Sequence, residues 1–248
     1  MLPAITSEFR KLFTIRSTYI VSGLAIALAA FFSFYVEGLR GADNIMFTGK
    51  LQNEIISCVS LLAIFGSIIA TLLITHEYRY NTIMYTLTAS NSRSKVVLAK
   101  IIAVFGYALL YMVIGTVIGV MAMYIGLAIK DLSPIAQTIH WGDLIWRSLF
   151  YMLGYGLAGL VLGFLTRQVV GAIVVIFLLP STIEPLLGLL LKENAKYLPF
   201  TAFNRVVDTS TTSASGALSP GKGALVFGAY LLVGWIVAWA LFYRRDAN

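Results

Sequence analysis

Few residues of this chain could carry chemistry, and the most suggestive are the neighbours His76 and Glu77. In zinc hydrolases such a pair opens the pattern H-E-x-x-H, where a second histidine one helical turn later completes the metal site and the glutamate acts as general base. Tyr80 occupies that position here, and the other histidine, His140, lies in a distant polar segment. The sequence therefore argues against a zinc hydrolase.

Nucleotide hydrolysis and serine proteolysis also lack their characteristic residues. The sequence has no G-x-x-x-x-G-K-[ST] phosphate loop, so we expect this chain not to hydrolyse ATP by itself. The glycines around Gly154 and Gly156 have no serine nucleophile among them, and the single cysteine, Cys58, excludes an intrachain disulfide. We therefore predict no catalytic, metal or cofactor site on this chain.

The polar residues around His76 belong to a basic island, residues 75–100, between two long apolar runs. Asn81 and Thr82 suit the start of a short helix, because such side chains accept hydrogen bonds from the unpaired N–H groups at a helix N-terminus. Three apolar side chains would then share one face of about two turns: Ile83, Met84 and Leu87. An exposed apolar face on a short helix favours docking into a groove of a partner. The alternative is that the helix lies on the bilayer surface.

The elements that must position this island are membrane-spanning helices. Hydrophobic residues make up 59% and charged residues 12% of the 248 residues, with a mean hydropathy of +0.86, whereas soluble domains are about half apolar and about a quarter charged. The apolar residues are grouped in runs of about 20, the length of a helix that crosses a bilayer. The net charge of +7 is then explained by cytoplasmic lysines and arginines rather than by nucleic-acid binding.

Six such runs predict an all-α integral membrane protein that forms one transmembrane domain over residues 1–248. The predicted spans are residues 17–36, 55–75, 101–129, 148–166, 169–191 and 224–243. Pro180 and Pro185 interrupt the fifth span, because proline lacks the N–H group that a helix interior needs, so we expect a break near residues 180–185 and a short outer helix after it. Glu184 is the only acid deep in an apolar stretch, which indicates a structural role or a role in an outer gate. The alternative is that the proline break lifts Glu184 to the outer interface, where it is simply exposed.

The first 16 residues also have helical periodicity. Their apolar side chains fall on one face, and Arg10 and Lys11 fall on the other. This pattern predicts a helix in the membrane interface with its cations toward anionic headgroups. The alternative is a cytoplasmic extension of the first span. The apolar residues of this face are Ile5, Phe9, Leu12 and Phe13.

The distribution of basic residues predicts the orientation of the spans. Six spans put both termini on one side, and with the termini inside the inner segments carry ten lysines and arginines against eight in the outer segments. The inner segments are shorter, and the density of basic residues near span ends sets the topology. We therefore expect both termini and the island in the cytoplasm.

Two pairs of glycines predict close contacts between helices. Gly115 and Gly119 lie in the third predicted span, and Gly159 and Gly163 lie in the fourth. Such spacing lets two membrane helices approach closely. The contact could be made within the chain or at a dimer seam.

The island resembles the signature region of the type 2 ATP-binding-cassette (ABC) exporter permeases. In that family a glutamate, an arginine and a Gly-Thr pair follow the second span, and then come a short leucine-rich helix, a Pro-x-Ser-Arg turn and an Ala-Lys pair. This chain departs from the pattern at Asn81, where glycine is usual but asparagine also tolerates positive φ, and at Ser90, where proline is usual. The residues that match, in order, are Glu77, Arg79, Thr82, Leu87, Ser92, Arg93, Ala99 and Lys100.

The resemblance extends to both ends of the chain and implies which residues form the site. The short helix near residues 82–89 would be a cytoplasmic coupling helix between spans two and three that contacts a separate ATPase subunit. Glu77 would anchor it by pairing with Arg79, Arg93 or a cation of the N-terminal helix such as Arg10. The implied contact residues are Glu77, Arg79, Asn81, Thr82, Ile83, Met84, Leu87, Thr88, Ser92 and Arg93. The implied N-terminal elbow helix includes Glu8, Phe9, Arg10, Lys11 and Leu12.

The resemblance also implies the function. The chain would be the permease subunit of an exporter in the cell membrane, most simply a bacterial cytoplasmic membrane, and would work by alternating access. It would pair with a second copy or a homologous permease, above ATPase subunits that hold ATP and Mg²⁺. The small number of charges within the spans favours an amphipathic or lipid-like substrate such as a peptide antibiotic or a drug. The alternative is a non-transporting anchor or sensor subunit of a membrane complex.

Overall fold

The computed structural model describes residues 1–40, 51–90, 92–130, 140–207 and 218–244, and all the regular structure in these ranges is helical. In the same ranges, two π-helical segments, Phe32–Arg40 and Leu179–Ile183, each continue an α-helix, and a 3-10 segment, Lys192–Tyr197, follows another α-helix. In chain order the helices are α1 (Leu2–Thr14), α2 (Arg16–Phe31), α3 (Leu51–Arg79), α4 (Ile83–Ser90), α5 (Arg93–Ile129), α6 (Trp141–Thr166), α7 (Val169–Leu178), α8 (Glu184–Leu191), α9 (Pro199–Val207) and α10 (Pro220–Arg244).

Within these described residues, six helical stretches are long and apolar enough to cross a membrane, which confirms the prediction of an all-α membrane protein with six spans. Several helices run past the limits set by hydropathy. The second span continues to Arg79 and the third begins at Arg93, because a helix needs continuous backbone hydrogen bonds rather than continuous apolar side chains. Polar residues at these helix ends are therefore part of the bundle and not of a loop.

The centre of the bundle is the pair α3 and α6. Their apolar stretches are 67% and 56% buried, whereas those of the fifth and sixth spans are 11% and 17% buried. A Cβ atom on Gly159 would lie 2.2 Å from the carbonyl oxygen of Ser67, and one on Gly163 would lie 2.4 Å from Ile74. Thr71 donates a hydrogen bond to the Gly159 carbonyl at 2.9 Å. These glycines therefore contact another helix of the same chain, which is one of the two alternatives that the sequence left open.

The glycines of α5 are used in the same way. A Cβ atom on Gly115 would lie 2.3 Å from Leu62, and one on Gly119 would lie 3.0 Å from the sulfur of Cys58. Both partners belong to α3. The close approach between α5 and α3 thus requires small residues on α5.

The fifth span bends without ending. The segment Leu179–Ile183 continues α7 as a wide π-helical turn that leads directly into α8. Pro180 is the second residue of this segment, and the Ser181 hydroxyl donates to the Phe177 carbonyl in the turn where Pro180 removes a backbone donor. The prolines change the type of helix, and the chain stays helical through the predicted break.

The polar segment after the fifth span contains a helix that hydropathy does not reveal. In α9, Phe200, Phe203 and Val206 are buried against α6 and α10, although the helix is too short to span a bilayer. Its mixed composition hides it, because only one face is apolar. The low-complexity stretch predicted as a loop lies partly outside the described residues, and its end forms the first turn of α10.

Candidate functional site

The two termini of the described chain, the short helix α4 and the α6–α7 turn lie at the same end of the bundle. Here α1 packs along the first part of α5 and also contacts α2 and α3. The ring of Phe9 lies over Gly106, where a Cβ atom would be 2.5 Å from the ring, and Leu12 is 2% exposed. The N-terminal helix is therefore fitted against the spans by specific side chains.

Four charged residues join α1 to two spans in what we call the charge cluster: Glu8, Lys11, Glu77 and Lys100. The amine of Lys100 lies 2.9 Å from Glu8 Oε2 and 2.8 Å from Glu77 Oε1, and it also donates to the Leu73 carbonyl at 3.0 Å. The amine of Lys11 lies 2.6 Å from Glu8 Oε1 and 2.5 Å from Glu77 Oε1. Each lysine therefore bridges a carboxylate of α1 and a carboxylate of α3.

The charge cluster is almost completely removed from solvent. Lys100 is 0% exposed, Glu8 is 2% exposed and Glu77 is 4% exposed, while the side chain of Lys11 is 27% exposed. Buried charges are costly unless they are paired, and here two positive and two negative groups balance each other. The balance holds only while α1, α3 and α5 stay together, so the cluster specifies their relative placement.

The electrostatics keep Lys11 charged. Burial lowers the pKa of its amine, but attraction to Glu77 and Glu8 outweighs that effect and leaves the pKa raised above its ordinary value of 10.5. Among the described residues, Glu77 Oε2 is a buried oxygen without a hydrogen-bond partner. The cluster thus has one unused acceptor on α3.

The turn after Glu77 has the geometry that the sequence predicts. Asn81 has a φ of 54°, the left-handed conformation that asparagine tolerates better than most residues. The Thr82 N–H donates to the Glu77 carbonyl at 2.9 Å, so this turn satisfies a carbonyl at the end of α3. The turn therefore places α4 directly beside the charge cluster.

The sequence predicts that Ile83, Met84 and Leu87 of α4 face a partner, but two of these three side chains face the spans. Ile83 is 1% exposed and Leu87 packs against the main core, because residues four apart lie on the same face of a helix and this face meets the spans. Met84 and Tyr85 are 51% and 78% exposed. The large side chains of α4 that are available to a partner are thus Met84 and Tyr85, and Ile83 offers it no surface.

A cavity of about 320 Å³ separates α4 from α1. Ala89 and Tyr85 of α4 form one wall, Ala4 and Ser7 of α1 form the other, and Ala99 of α5 contributes to the lining. Glu8 and Lys11 also line it, but both are paired within the charge cluster. The cavity is therefore bordered mostly by small residues, and the charges in its lining are compensated.

Other predicted site residues lie elsewhere at this end. Arg93 donates to the carbonyls of Phe242 and Tyr243 at 2.7 and 2.9 Å, so it holds the end of α10. Arg79 is exposed and lies over the Tyr80 ring. Three other predicted site residues are exposed, namely Arg10, Thr82 and Thr88, and Ser92 is half-buried.

The expected partners of Glu77 are found only in part. A cation of the N-terminal helix does pair with Glu77, but it is Lys11 rather than Arg10, and the second cation is Lys100 rather than Arg79 or Arg93. The prediction that Lys11 faces lipid headgroups is wrong for the same reason. Sequence reasoning did not expect Lys100 to be buried, because the third predicted span begins at residue 101 and Lys100 was placed in the polar segment before it.

Glu184 lies at the opposite end of the bundle and is not part of the charge cluster. It is 3% exposed, and both of its carboxylate oxygens accept hydrogen bonds from the start of α9. Glu184 is thus buried within the chain rather than exposed at an interface.

A family model described as ABC-2 family transporter protein matches residues 4–187. The match covers more than half of the chain and includes α1, the charge cluster and α4. A comparison with the curated proteins finds no match. The six-span helical architecture agrees with a membrane subunit, and the chain belongs to the ABC-2 family of transporter membrane proteins.

Proposed function

We propose that this chain is the permease subunit of an ATP-driven exporter and that α4 is its coupling helix, to which a separate ATPase subunit binds. The observation that carries the proposal is the position of α4. It presents Met84 and Tyr85 outward and is joined to α3 by a short turn that begins beside Glu77 of the charge cluster. A force applied to these exposed side chains would reach three helices at once.

The charge cluster gives that force a rigid path. Ile83 and Leu87 fix α4 to the bundle, so α4 cannot slide freely over its surface. Lys100 and Lys11 tie α3 and α5 to α1. Movement of an ATPase beneath α4 would therefore displace α1, α3 and α5 together, which is what alternating access requires.

The cavity between α4 and α1 would receive part of the ATPase. Its walls carry small side chains such as Ala4 and Ala89, and the charged groups in its lining are already paired. An uncharged side chain of the partner therefore suits it better than an ion. ATP and Mg²⁺ would be held by the ATPase, and a second permease copy or a homologous permease would complete the transport path.

The location and the substrate follow from the same proposal. Both termini would lie in the cytoplasm, on the side from which an ATPase can reach α4, and the membrane would be a bacterial cytoplasmic membrane. An amphipathic or lipid-like substrate suits the scarcity of charge within the spans, where Glu77 of α3 and Lys100 of α5 are paired with each other at one end.

The test is purification of the chain with the proteins encoded beside it, followed by measurement of ATP turnover. We expect an ATPase subunit to copurify and its turnover to change when the permease is present. The variant Y85D should abolish that change, because it places a charge in the docking surface. The matched control Y197D alters a residue that is 47% exposed at the opposite end, and it should behave as the unaltered protein.

Two outcomes would contradict the proposal. Equal effects of Y85D and Y197D would show that α4 is not the docking surface. An ATPase that copurifies without any substrate movement in reconstituted vesicles would favour an anchor or sensor subunit instead.

A further inference from the structure

The bend in the fifth span ends at a buried carboxylate that contacts a separate helix. Glu184 is the first residue of α8, directly after the π-helical turn. Its Oε1 accepts the Phe200 N–H at 2.7 Å, and its Oε2 accepts both the N–H and the hydroxyl of Thr201 at 2.7 Å. These donors lie in the first turn of α9, where backbone N–H groups have no partner inside the helix.

The contact is strong by its chemistry. A carboxylate at a helix N-terminus makes charge-assisted hydrogen bonds and is favoured by the helix dipole. Burial leaves Glu184 no access to water as a substitute. Loss of the contact would therefore leave both a buried charge and two N–H groups unpaired.

Helix α9 is fitted tightly across the ends of α6 and α10. A Cβ atom on Gly154 of α6 would lie 2.4 Å from the Phe203 ring, and one on Gly223 of α10 would lie 2.5 Å from the Ala202 carbonyl. Arg147 of α6 also donates to the Val206 carbonyl at 3.0 Å. The helix thus lies as a strap over two spans.

In contrast, α8 has few contacts of its own. Leu189 and Leu190 are 76% and 78% exposed, and the main contacts of α8 are with the segments that flank it in the chain. Glu184 is therefore the principal polar link between the bent fifth span and the strap.

We propose that Glu184 is a latch that holds α9 down over α6 and α10, and that its release lets α9 lift while the spans stay folded. A change of the bend in the fifth span would pull Glu184 away from α9 and so open this end of the bundle. The inference concerns the end opposite α4 and does not depend on the binding of an ATPase.

The test uses a buried cysteine reporter on α9. Val206 is 3% exposed, and V206C keeps both its size and the carbonyl that Arg147 contacts. We would measure the rate at which a water-soluble maleimide labels V206C, alone and combined with E184Q. The native Cys58 is 1% exposed in the core and reports separately on global unfolding.

We expect E184Q to raise the labelling rate of V206C by about ten- to a hundredfold, as the loss of charge-assisted hydrogen bonds implies, while Cys58 stays protected. The milder variant T201V removes only the hydroxyl bond and should give a smaller increase. The matched control E193Q alters an exposed acid of the neighbouring 3-10 segment and should leave the rate unchanged.

An unchanged V206C rate in E184Q would overturn the proposal, because α9 would then stay docked without the latch. Labelling of Cys58 in parallel with V206C would also overturn it, since the strap would not open independently of the spans.

Discussion

Replacement of Lys100 by methionine probes the charge cluster most sharply. The side chain is fully buried and contacts Glu8, Glu77 and the Leu73 carbonyl. Methionine fills a similar volume but leaves the two carboxylates with Lys11 as their shared cation. The variant therefore tests an unbalanced buried charge rather than a cavity.

The expected magnitude follows from this imbalance. Removal of one partner from a buried ion pair costs about 3–5 kcal/mol. At about 2–4 °C per kcal/mol for a chain of this size, the apparent Tm in detergent should fall by about 6–20 °C. The matched variant K11M removes a cation whose side chain is 27% exposed, so water can replace part of its interaction and we expect a loss of about 1 kcal/mol.

The assay is thermal unfolding of the purified protein, together with a double-mutant cycle. Combining K100M with E77Q removes the one carboxylate charge that K100M leaves uncompensated, so the double variant should be more stable than the sum of the single effects predicts, by about 0.5–3 kcal/mol. A K100M protein as stable as the unaltered one, or K11M more harmful than K100M, would refute the reasoning.

Three other predictions concern particular contacts. G159A should lower the Tm by several degrees because its Cβ would lie 2.2 Å from the Ser67 carbonyl, whereas G228A, with nothing within 4 Å, should not; equal Tm values would contradict the close packing of α3 and α6. At Asn81, with a φ of 54°, N81G should be neutral and N81V should cost about 1–2 kcal/mol, as measured by unfolding; a neutral N81V would show that the turn relaxes. The last prediction concerns Lys11, whose pKa is lowered by burial but raised overall in the folded protein by attraction to Glu77 and Glu8, so its contribution to stability is complete below pH 10.5 and is lost as the pH rises through the higher folded pKa. The Tm difference between K11M and the unaltered protein should therefore be constant from about pH 6 to about pH 9 and shrink only in strong alkali. A difference that changes near neutral pH would contradict this.

Hydropathy was sufficient to predict the spans because each needs only a local run of apolar residues. Contacts between residues far apart in the sequence were harder to predict. Lys100 and Glu8 are far apart in the sequence, and nothing in either neighbourhood shows that they meet. The polar residues at the helix ends were assigned to loops, although α3 and α5 extend to include them.

The direction of a helix face is also not a local property. Ile83 and Leu87 share a face, as their spacing requires, but the sequence does not show whether that face meets the spans or a partner. Helix α9 was not predicted at all, because it is short and mixed in composition and its buried side depends on α6 and α10. Asn81 was predictable because its positive φ is a preference of the residue itself.

The central claim is that α4 meets an ATPase through its exposed side chains, and site-specific photocrosslinking tests it most directly. A photoreactive residue at position 85, where Tyr85 is 78% exposed, should crosslink to the ATPase subunit in the membrane. The same residue at position 83, where Ile83 is buried, should crosslink only within the chain. A crosslink to the ATPase from position 197 but not from position 85 would contradict the account.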